Sequence, residues 1–362
     1  MLVQVVRNFY DNLHQKPTLK AFEEKNMRKA LPTCTILTLC LGPFASAQTT
    51  NVKFTLDWAF EGPSAPYLLA VDRGYFAKQG LNVTVDRGFG SGDAINKIAG
   101  GAYDLGFGDI NAMMEFNARN PGQKLVAVYM VYNAPPHSIV VLKSSGIKTP
   151  KDLEGKTIAA PVGDASRRLF SAFAEANGID ESKVKWTSVD GALREPMLAR
   201  GQADAISGFT FTSLLNLRQI GVNADQVTVF PYAASVRGLY GNAIITRADY
   251  AQKNPAVVRG FLAAVNQGLQ DAIKDPAAGV AAVQKRNGLA NVALETERLK
   301  LALSGNVVTG DVRALGLGNV RPDRLKASIL TVKKAFDLPV TLSPTSVFNA
   351  SYLPPAAQRK VR

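Results

Sequence analysis

The alternation of strand-like and helix-like segments is the feature that most limits the folds open to this 362-residue chain. Residues 52–57 alternate apolar and polar side chains with period two, which predicts a strand. A helix is predicted to begin near residues 63–66, because serine caps a helix well and proline suits its first turn. Further strands and helices are predicted in turn at 82–86, 92–99, 104–108, 109–119 and 124–131. This order predicts an α/β domain with a mainly parallel sheet.

The same alternation returns in the second half of the chain. Strands are predicted at 138–143, 157–161, 184–189, 203–207 and 227–231, and helices at 255–274, 276–286, 293–303 and 322–336. The segments 101–108 and 201–208 echo each other, since each has glycine, aspartate three residues later and glycine four residues after that. A helix-ending glycine, a short strand and a glycine near a cleft would give this pattern. We therefore predict two related α/β lobes.

The N-terminal segment has the pattern of an export signal. Basic residues after Met27 precede an apolar run at 30–41, and an A-x-A cleavage pattern follows at 45–47. The run is shorter than the roughly 20 residues that a membrane anchor needs. We expect translation to start at Met27, residues 1–47 to be a leader with the cut after Ala47, and the exported protein to reside in the periplasm.

Charge and the scarcity of reactive side chains limit the function classes. The chain carries 42 Lys and Arg against 29 Asp and Glu, but it has no dense basic block, so nucleic acid is not an expected partner. Cys34 and Cys40, the only cysteines, fall in the predicted leader, and His137 is the only histidine after it. A catalytic triad would have to use His137, and a histidine-based zinc site is out of reach. We expect no enzyme activity, no metal and no cofactor, with carboxylate catalysis alone left open.

Several phrases of the sequence resemble the solute-binding proteins of the nitrate, sulfonate and taurine, and thiamine-precursor importers. They are residues 54–58 (FTLDW), 70–83 (AVDRGYFAKQGLNV), 101–108 (GAYDLGFG) and 151–158 (KDLEGKTI). The resemblance implies an α/β, type II periplasmic-binding fold whose two lobes are joined by a hinge that the chain crosses twice. It places one lobe at 49–134 plus 240–362, the other at 135–239, and the crossings near 132–137 and 237–241. The ligand would lie between the lobes, beyond the carboxyl ends of the strands.

The resemblance also implies a function and its partners. It implies the substrate-binding component of an ABC importer, a monomer that closes around a small molecule and delivers it to permease and ATPase subunits. Two alternatives remain open: a ligand-sensing protein that feeds a membrane receptor, and an enzyme like the pyrimidine synthases of thiamine biosynthesis, which share this fold. The enzyme alternative is disfavoured because those enzymes carry a cysteine-rich motif, and no cysteine follows the predicted leader.

Loops that follow predicted strands, and the hinge crossings, supply the candidate ligand-binding residues. They are Trp58, Phe60, Glu61, Ser91, Asp109, Asn111, Tyr132, Asp164, Ser166, Arg167, Phe209, Tyr240 and Asn242. Helix starts near Ser91 and Asp164 suit a polar or anionic group, although plain capping would also explain Ser91. Arg167 opposes a helix dipole, which either an anionic ligand or a nearby carboxylate would explain. The aromatic members favour a flat organic ligand. Sulfonate-like and pyrimidine-like compounds both stay open.

Overall fold

The computed structural model describes residues 49–361, so the predicted start, leader and cleavage site lie outside the described residues. The strands are β1 Thr50–Thr55, β2 Leu81–Asp86, β3 Leu105–Asp109, β4 Leu125–Met130, β5 His137–Leu142, β6 Thr157–Ala160, β7 Lys185–Ser188, β8 Ala205–Phe209, β9 Val227–Pro231 and β10 Asn242–Arg247. The α-helices are α1 Ala65–Asp72, α2 Ser91–Ala99, α3 Ile110–Arg119, α4 Ala165–Arg168, α5 Phe170–Ala176, α6 Arg194–Ala199, α7 Thr210–Gln219, α8 Ala248–Lys253, α9 Pro255–Lys274, α10 Pro276–Gln284, α11 Val292–Ala302, α12 Gly310–Leu315, α13 Pro322–Ala335 and α14 Pro344–Val347. None of the helices within residues 49–361 has both the length and the apolar character that crossing a membrane requires.

The strands form two five-stranded sheets with equivalent orders. The first sheet has the order β2-β1-β3-β10-β4, and the second has the order β7-β6-β8-β5-β9. In each sheet one strand, β10 or β5, runs antiparallel to both of its neighbours, while the remaining pairs are parallel. These are the strands with which the chain enters each sheet after crossing from the other. The fold is thus the predicted two-lobed α/β architecture, with mixed rather than purely parallel sheets.

The internal echo marks the same structural place in both sheets, because β3 and β8 are the middle strands. Asp104 accepts a hydrogen bond from the backbone N–H of Lys53 at 2.9 Å, and Asp204 accepts one from the backbone N–H of Thr157 at 2.8 Å. Each aspartate therefore ties the start of a middle strand to its parallel neighbour. The echo is a structural repeat of the sheet, and its aspartates have a structural role.

The helices cover the sheets and bury apolar side chains against both of them. In the first lobe the Phe54 ring lies between Tyr67 and Phe261, with centroid distances of 5.2 and 5.0 Å. Phe261 comes from α9, whose proline at the first position suits the fixed backbone angle of a helix start. In the second lobe Phe173 stacks on Tyr232 with centroids 4.5 Å apart. Burial of these rings holds α9 and α5 in place in the fold.

Two chain segments, 131–136 and 232–241, connect the lobes. The backbone N–H groups of Val131 and Tyr132 donate to the Asn242 carbonyl at 3.0 and 2.9 Å, and the N–H of Gly241 donates to the Tyr132 carbonyl at 2.9 Å. The two crossings therefore lie side by side and bond to each other. The lobe boundaries at 49–134 plus 240–362 and 135–239 stay a prediction.

Candidate functional site

A cavity that is partly open to solvent lies between the two sheets beside the hinge crossings, and the space free of atoms there, open solvent included, is about 560 Å³. We call it the interlobe pocket. It is lined by Leu56, Asp57, Trp58, Ala59, Glu61, Pro63, Ser64, Tyr67, Gly90, Ser91, Phe107, Tyr132, Asp164, Ala165, Arg194, Phe209, Phe211 and Thr212. These residues come mainly from the segments that follow β1 and β8 and from the starts of α1, α2, α4 and α7. Strand carboxyl ends and helix N-termini are where α/β folds bind ligands.

Aromatic rings form a large part of the pocket wall. The Tyr132 ring packs edge-on against Phe107, Phe209 and Phe211, with centroid distances of 5.3, 6.2 and 6.1 Å. Edge-to-face contacts of this kind favour particular ring orientations, so the wall is well ordered. Ordered aromatic faces suit a planar, apolar part of a ligand.

Trp58 belongs to the first lobe but contacts the second. A Cβ atom placed on Gly191 would stand 2.5 Å from the Cη2 atom of Trp58, so glycine is required for this approach. The guanidinium carbon of Arg194 lies 5.4 Å from the Trp58 ring centroid, which is within the range of a cation–π interaction. The position of the Trp58 ring therefore depends on both lobes.

Two further contacts join the lobes outside the pocket lining. The N–H of Gly92 donates to the carbonyl of Gly163 at 3.1 Å. Gly90 has a φ of +115°, and a Cβ there would lie 2.5 Å from the same carbonyl oxygen, so this approach also requires glycine. The Nη2 atom of Arg168 lies 2.5 Å from Oε2 of Glu115. These contacts join α2 and α3 of the first lobe to α4 and the residues just before it.

Asp57 brings a buried carboxyl group to the pocket, with only 7% of the residue exposed. Its Oδ2 atom accepts hydrogen bonds from Asn242 Nδ2 at 2.6 Å and from Ser91 Oγ at 3.3 Å. Burial raises the pKa of Asp57 to about 7, although these two hydrogen bonds act to lower it. The group therefore titrates near neutral pH, as a hydrogen-bond donor below and an acceptor above that point.

Glu61 is the second carboxyl of the wall. Its Oε2 atom accepts a hydrogen bond from Thr212 Oγ1 at 3.3 Å and lies 3.4 Å from the Nη1 atom of Arg298. Burial raises the pKa of Glu61, while the charge of Arg298 acts to lower it. Thr212 comes from the second lobe, so this carboxyl too is held from both sides.

Asp164 and Arg194 supply the polar wall of the second lobe. Asp164 caps α4 by accepting from the Arg167 N–H at 2.9 Å, and it also accepts from Ser207 Oγ at 2.9 Å. Arg194 is 1% exposed and donates from Nε and Nη2 to Glu195 Oε1 at 3.0 and 2.6 Å, and from Nη1 to the Ser207 carbonyl at 3.0 Å. Its Nη1 lies 3.5 Å from Asp164 Oδ2. Burial would lower the pKa of Arg194, but the charges of Glu195 and Asp164 raise it above its usual value.

The electrostatic balance of the wall follows from these contacts. Three carboxyl groups, those of Asp57, Glu61 and Asp164, line the pocket together with one guanidinium, that of Arg194. All three nitrogens of that guanidinium already donate to protein acceptors. When these carboxyl groups are ionised, their oxygens outnumber the remaining hydroxyl donors of the wall, which favours a ligand that brings N–H or O–H donors.

Six of the predicted site residues line the pocket: Trp58, Glu61, Ser91, Tyr132, Asp164 and Phe209. The other seven do not: Phe60, Asp109, Asn111, Ser166, Arg167, Tyr240 and Asn242. Most of these form a layer behind the wall. Asn242 donates to Asp57, and Asn111 donates to the Tyr240 carbonyl at 2.8 Å and to Asp109 at 3.1 Å.

The cation at the start of α4 has protein partners of its own. Arg167 Nη1 donates to the Ala160 carbonyl and to Ser188 Oγ, both at 3.0 Å, and its guanidinium carbon lies 4.9 Å from the centroid of the Trp186 ring. These contacts explain the residue without a ligand. The cation that lines the pocket is Arg194 instead.

Sequence reasoning missed several lining residues. They include Asp57, Ser64, Tyr67, Phe107, Arg194, Phe211 and Thr212. Asp57 ends the predicted first strand directly before Trp58, so its place at a strand end was a usable signal. Arg194 gave none, because its partners at 164 and 207 are distant in sequence.

The sequence of this chain is similar to those of several known proteins. Residues 62–279 match the family described as NMT1/THI5 like. The riboflavin-binding protein RibY of Chloroflexus aurantiacus is 25% identical over 250 residues, which cover 68% of this chain and 69% of that protein. The 4-amino-5-hydroxymethyl-2-methylpyrimidine phosphate synthase of Schizosaccharomyces pombe is 23% identical over 242 residues, 63% of this chain and 67% of that one.

A solved structure matches across most of the described fold. The alkanesulfonate-binding protein SsuA from Xanthomonas axonopodis pv. citri, bound to MOPS, superposes with a TM-score of 0.65. The match covers 83% of this chain and 99% of that protein at 20% sequence identity. At this identity the likeness shows the fold of periplasmic binding proteins and leaves the ligand to be argued from the pocket.

Proposed function

Because the chain belongs to the NMT1/THI5-like family, we propose that it is the solute-binding component of an ABC importer for a small heteroaromatic compound. The protein would be exported, would bind its ligand in the interlobe pocket, and would deliver it to membrane permease and ATPase subunits. Ligand contacts with both walls would favour the closed arrangement of the hinge. The match of residues 62–279 to this family and the binding-protein fold support this role.

The composition of the pocket wall carries the proposal for the ligand class. A planar ring would pack against the aromatic faces around Tyr132, and N–H donors on its edge would meet the carboxyls of Asp57, Glu61 and Asp164. An anion would meet the same carboxyls without a free cation to offset them. We therefore favour a pyrimidine-like ligand with amino donors over a sulfonate. The names of the two relatives, which concern a flavin and an aminopyrimidine, are consistent with a nitrogen heterocycle.

We propose further that the protein binds its ligand without transforming it. Within the described residues, no histidine, cysteine or lysine contributes to the pocket lining. His137 is fully buried in β5, where its Nε2 atom lies 3.1 Å from Asp109 Oδ2. An acid–base role would thus fall to the carboxyl groups or to the hydroxyl groups of Tyr67 and Tyr132. Incubating the protein with a bound aminopyrimidine, and finding a new product by mass spectrometry, would favour the synthase alternative.

Thermal unfolding against a ligand panel tests the proposed ligand class. The panel contains aminopyrimidines, flavins, aliphatic sulfonates, nitrate and sulfate, and native mass spectrometry identifies any compound that co-purifies. A ligand at about a hundred times its Kd stabilises the folded protein by roughly 2.7 kcal/mol, which is several degrees in Tm. We expect a shift with a nitrogen heterocycle. A shift with sulfonates alone would refute the assigned ligand class.

A matched pair of variants ties such a shift to the pocket. Glu61→Gln should reduce the shift for an amino-bearing ligand, because the amide presents one acceptor oxygen and no charge. Asp225→Asn changes an exposed carboxylate outside the pocket in the same manner and should leave the shift unchanged. Equal shifts in both variants would place the ligand elsewhere.

A further inference from the structure

Arg298 is a fully buried cation at the contact between the two lobes, with 1% of the residue exposed. It belongs to α11, which packs against the 3-10 turn Gly62–Ser64 of the first lobe. Its Nε and Nη2 atoms donate to Glu295 on the same helix at 3.0 and 3.1 Å. Glu295 also accepts from the Gly62 N–H at 2.6 Å. Arg298 is therefore fixed to the first lobe.

The same guanidinium reaches the second lobe. Its Nη1 atom donates to the Thr212 carbonyl at 3.2 Å, and its Nη2 atom donates to Asn216 Oδ1 at 2.9 Å. Both acceptors belong to α7, the helix that follows β8. A buried guanidinium requires such partners, because an unpaired buried charge is strongly unfavourable. Separation of α7 from α11 would remove both of these bonds.

Arg298 also contacts the ligand-binding wall without being part of it. Its Nη1 atom lies 3.4 Å from Glu61 Oε2, the oxygen that accepts from Thr212 Oγ1 at 3.3 Å. Glu61 and Thr212 line the pocket, whereas Arg298 does not. One side chain thus contacts a wall carboxylate and the opposing lobe at the same time.

We propose that Arg298 is a positioning residue that couples the acceptor Glu61 to lobe closure. With α7 in place, Thr212 and Arg298 orient Glu61 at the wall, and the charge of Arg298 favours its ionised form. When the lobes separate, Glu61 loses Thr212, and Arg298 loses its two partners on α7. Binding of an N–H donor at Glu61 and closure of the lobes are then thermodynamically coupled, so that each favours the other. The inference rests on the proposed function only for the identity of the donor.

A double-mutant cycle in binding tests the coupling. The probe is 4-amino-5-hydroxymethyl-2-methylpyrimidine, and its Kd is measured by calorimetry for the wild type, Glu61→Gln, Arg298→Gln and the double variant. We expect Arg298→Gln to weaken binding at least about tenfold, since it removes a buried charge partner. The double variant should bind no more weakly than Arg298→Gln alone. The Kd of Arg298→Lys should lie between those of the wild type and Arg298→Gln. If the loss of affinity in the double variant equals the product of the two single losses, the inference is overturned.

A neighbouring arginine provides the matched control. Arg218 of α7 pairs with Glu297 of α11 across the same two helices, but this pair is exposed and outside the pocket. Arg218→Gln should leave the Kd within about twofold of the wild-type value, because exposed pairs contribute little. An equal loss in Arg218→Gln and Arg298→Gln would mean that the helix contact matters only structurally, and would also overturn the inference.

A ligand-independent measurement separates this inference from the proposed function. If the probe does not bind the wild type, the aminopyrimidine assignment fails, and the coupling is judged from thermal unfolding alone. The Tm losses of Glu61→Gln and Arg298→Gln should then be clearly non-additive, because both variants disrupt one buried network. Additive Tm losses would overturn the proposed coupling. The pH dependence of Tm should also differ between wild type and Arg298→Gln, since Glu61 loses its cation.

Discussion

The titration of Asp57 gives the most direct test of the pocket chemistry. Burial raises the pKa of this carboxyl from 3.8 to about 7, against the opposing effect of its hydrogen bonds from Asn242 and Ser91. The folded protein therefore holds the proton more tightly than the unfolded chain does. The stability that this proton contributes is fully present below the unfolded pKa and is lost as the pH rises through about 7.

The size of the effect follows from the two pKa values. A rise of about three units corresponds to roughly 4 kcal/mol over the whole titration. Between pH 5 and pH 8 the linkage relation gives a loss of roughly 2.5 kcal/mol. Asp57→Asn keeps the shape of the side chain and an oxygen for Asn242, but it does not titrate. As the pH rises from 5 to 8, the free energy of unfolding of the wild type should therefore fall by roughly 2.5 kcal/mol relative to that of Asp57→Asn.

Urea unfolding at 25 °C, followed by circular dichroism at pH 5 and pH 8, measures this difference. The exposed substitution Asp225→Asn serves as the control and should show the pH dependence of the wild type. A difference between wild type and Asp57→Asn that stays constant within about 0.5 kcal/mol across this range would refute the reasoning. It would mean that water or a rearrangement keeps Asp57 ionised in the folded protein.

Two further substitutions test the walls of the pocket. Gly191→Ala places a methyl group against Trp58 and should weaken binding of the aminopyrimidine probe about tenfold in calorimetry, since closure is blocked. Gly122→Ala, which has open space around its Cβ, should leave the Kd unchanged. Arg194→Met leaves buried carboxylates without their cation and should cost about 3–5 kcal/mol in urea unfolding. Arg200→Met, exposed just after the same helix, should stay within about 0.5 kcal/mol of wild type.

The fold could be predicted because its periodicities are local. The 255–274 helix is observed as α9 with the predicted bounds, and β9 likewise matches 227–231. The strand β10 was not predicted, although it lies between β3 and β4 in the first sheet. Five of its six residues are buried, so it lacks the polar alternation that marks a strand with one exposed face. Its place in the sheet depends on the return crossing, which is a long-range property.

The site was predicted less well, because its polar groups are paired across distant segments. Local rules identified Asp164, which caps a helix and also lines the pocket. The same rules selected Arg167, whose partners are a carbonyl of β6 and a hydroxyl of β7. A helix dipole argues that a cation there needs a partner, but it does not say which one. Only the tertiary structure distinguishes a ligand from a neighbouring strand.

The pocket wall is assembled from both lobes, and under the proposed function this arrangement would govern ligand selectivity. The Trp58 ring depends on Gly191 of the second lobe, and the carboxyl of Glu61 depends on Thr212. A single lobe would present only part of the aromatic wall, and the Glu61 carboxylate would lack its hydrogen bond from Thr212. Under the proposed function, a ligand would gain its full set of contacts only when the lobes are together, and a poor ligand would lose the free energy of closure as well as its own contacts. Residues outside the pocket that hold the lobes together, such as Arg298, would then affect affinity as strongly as residues in the wall.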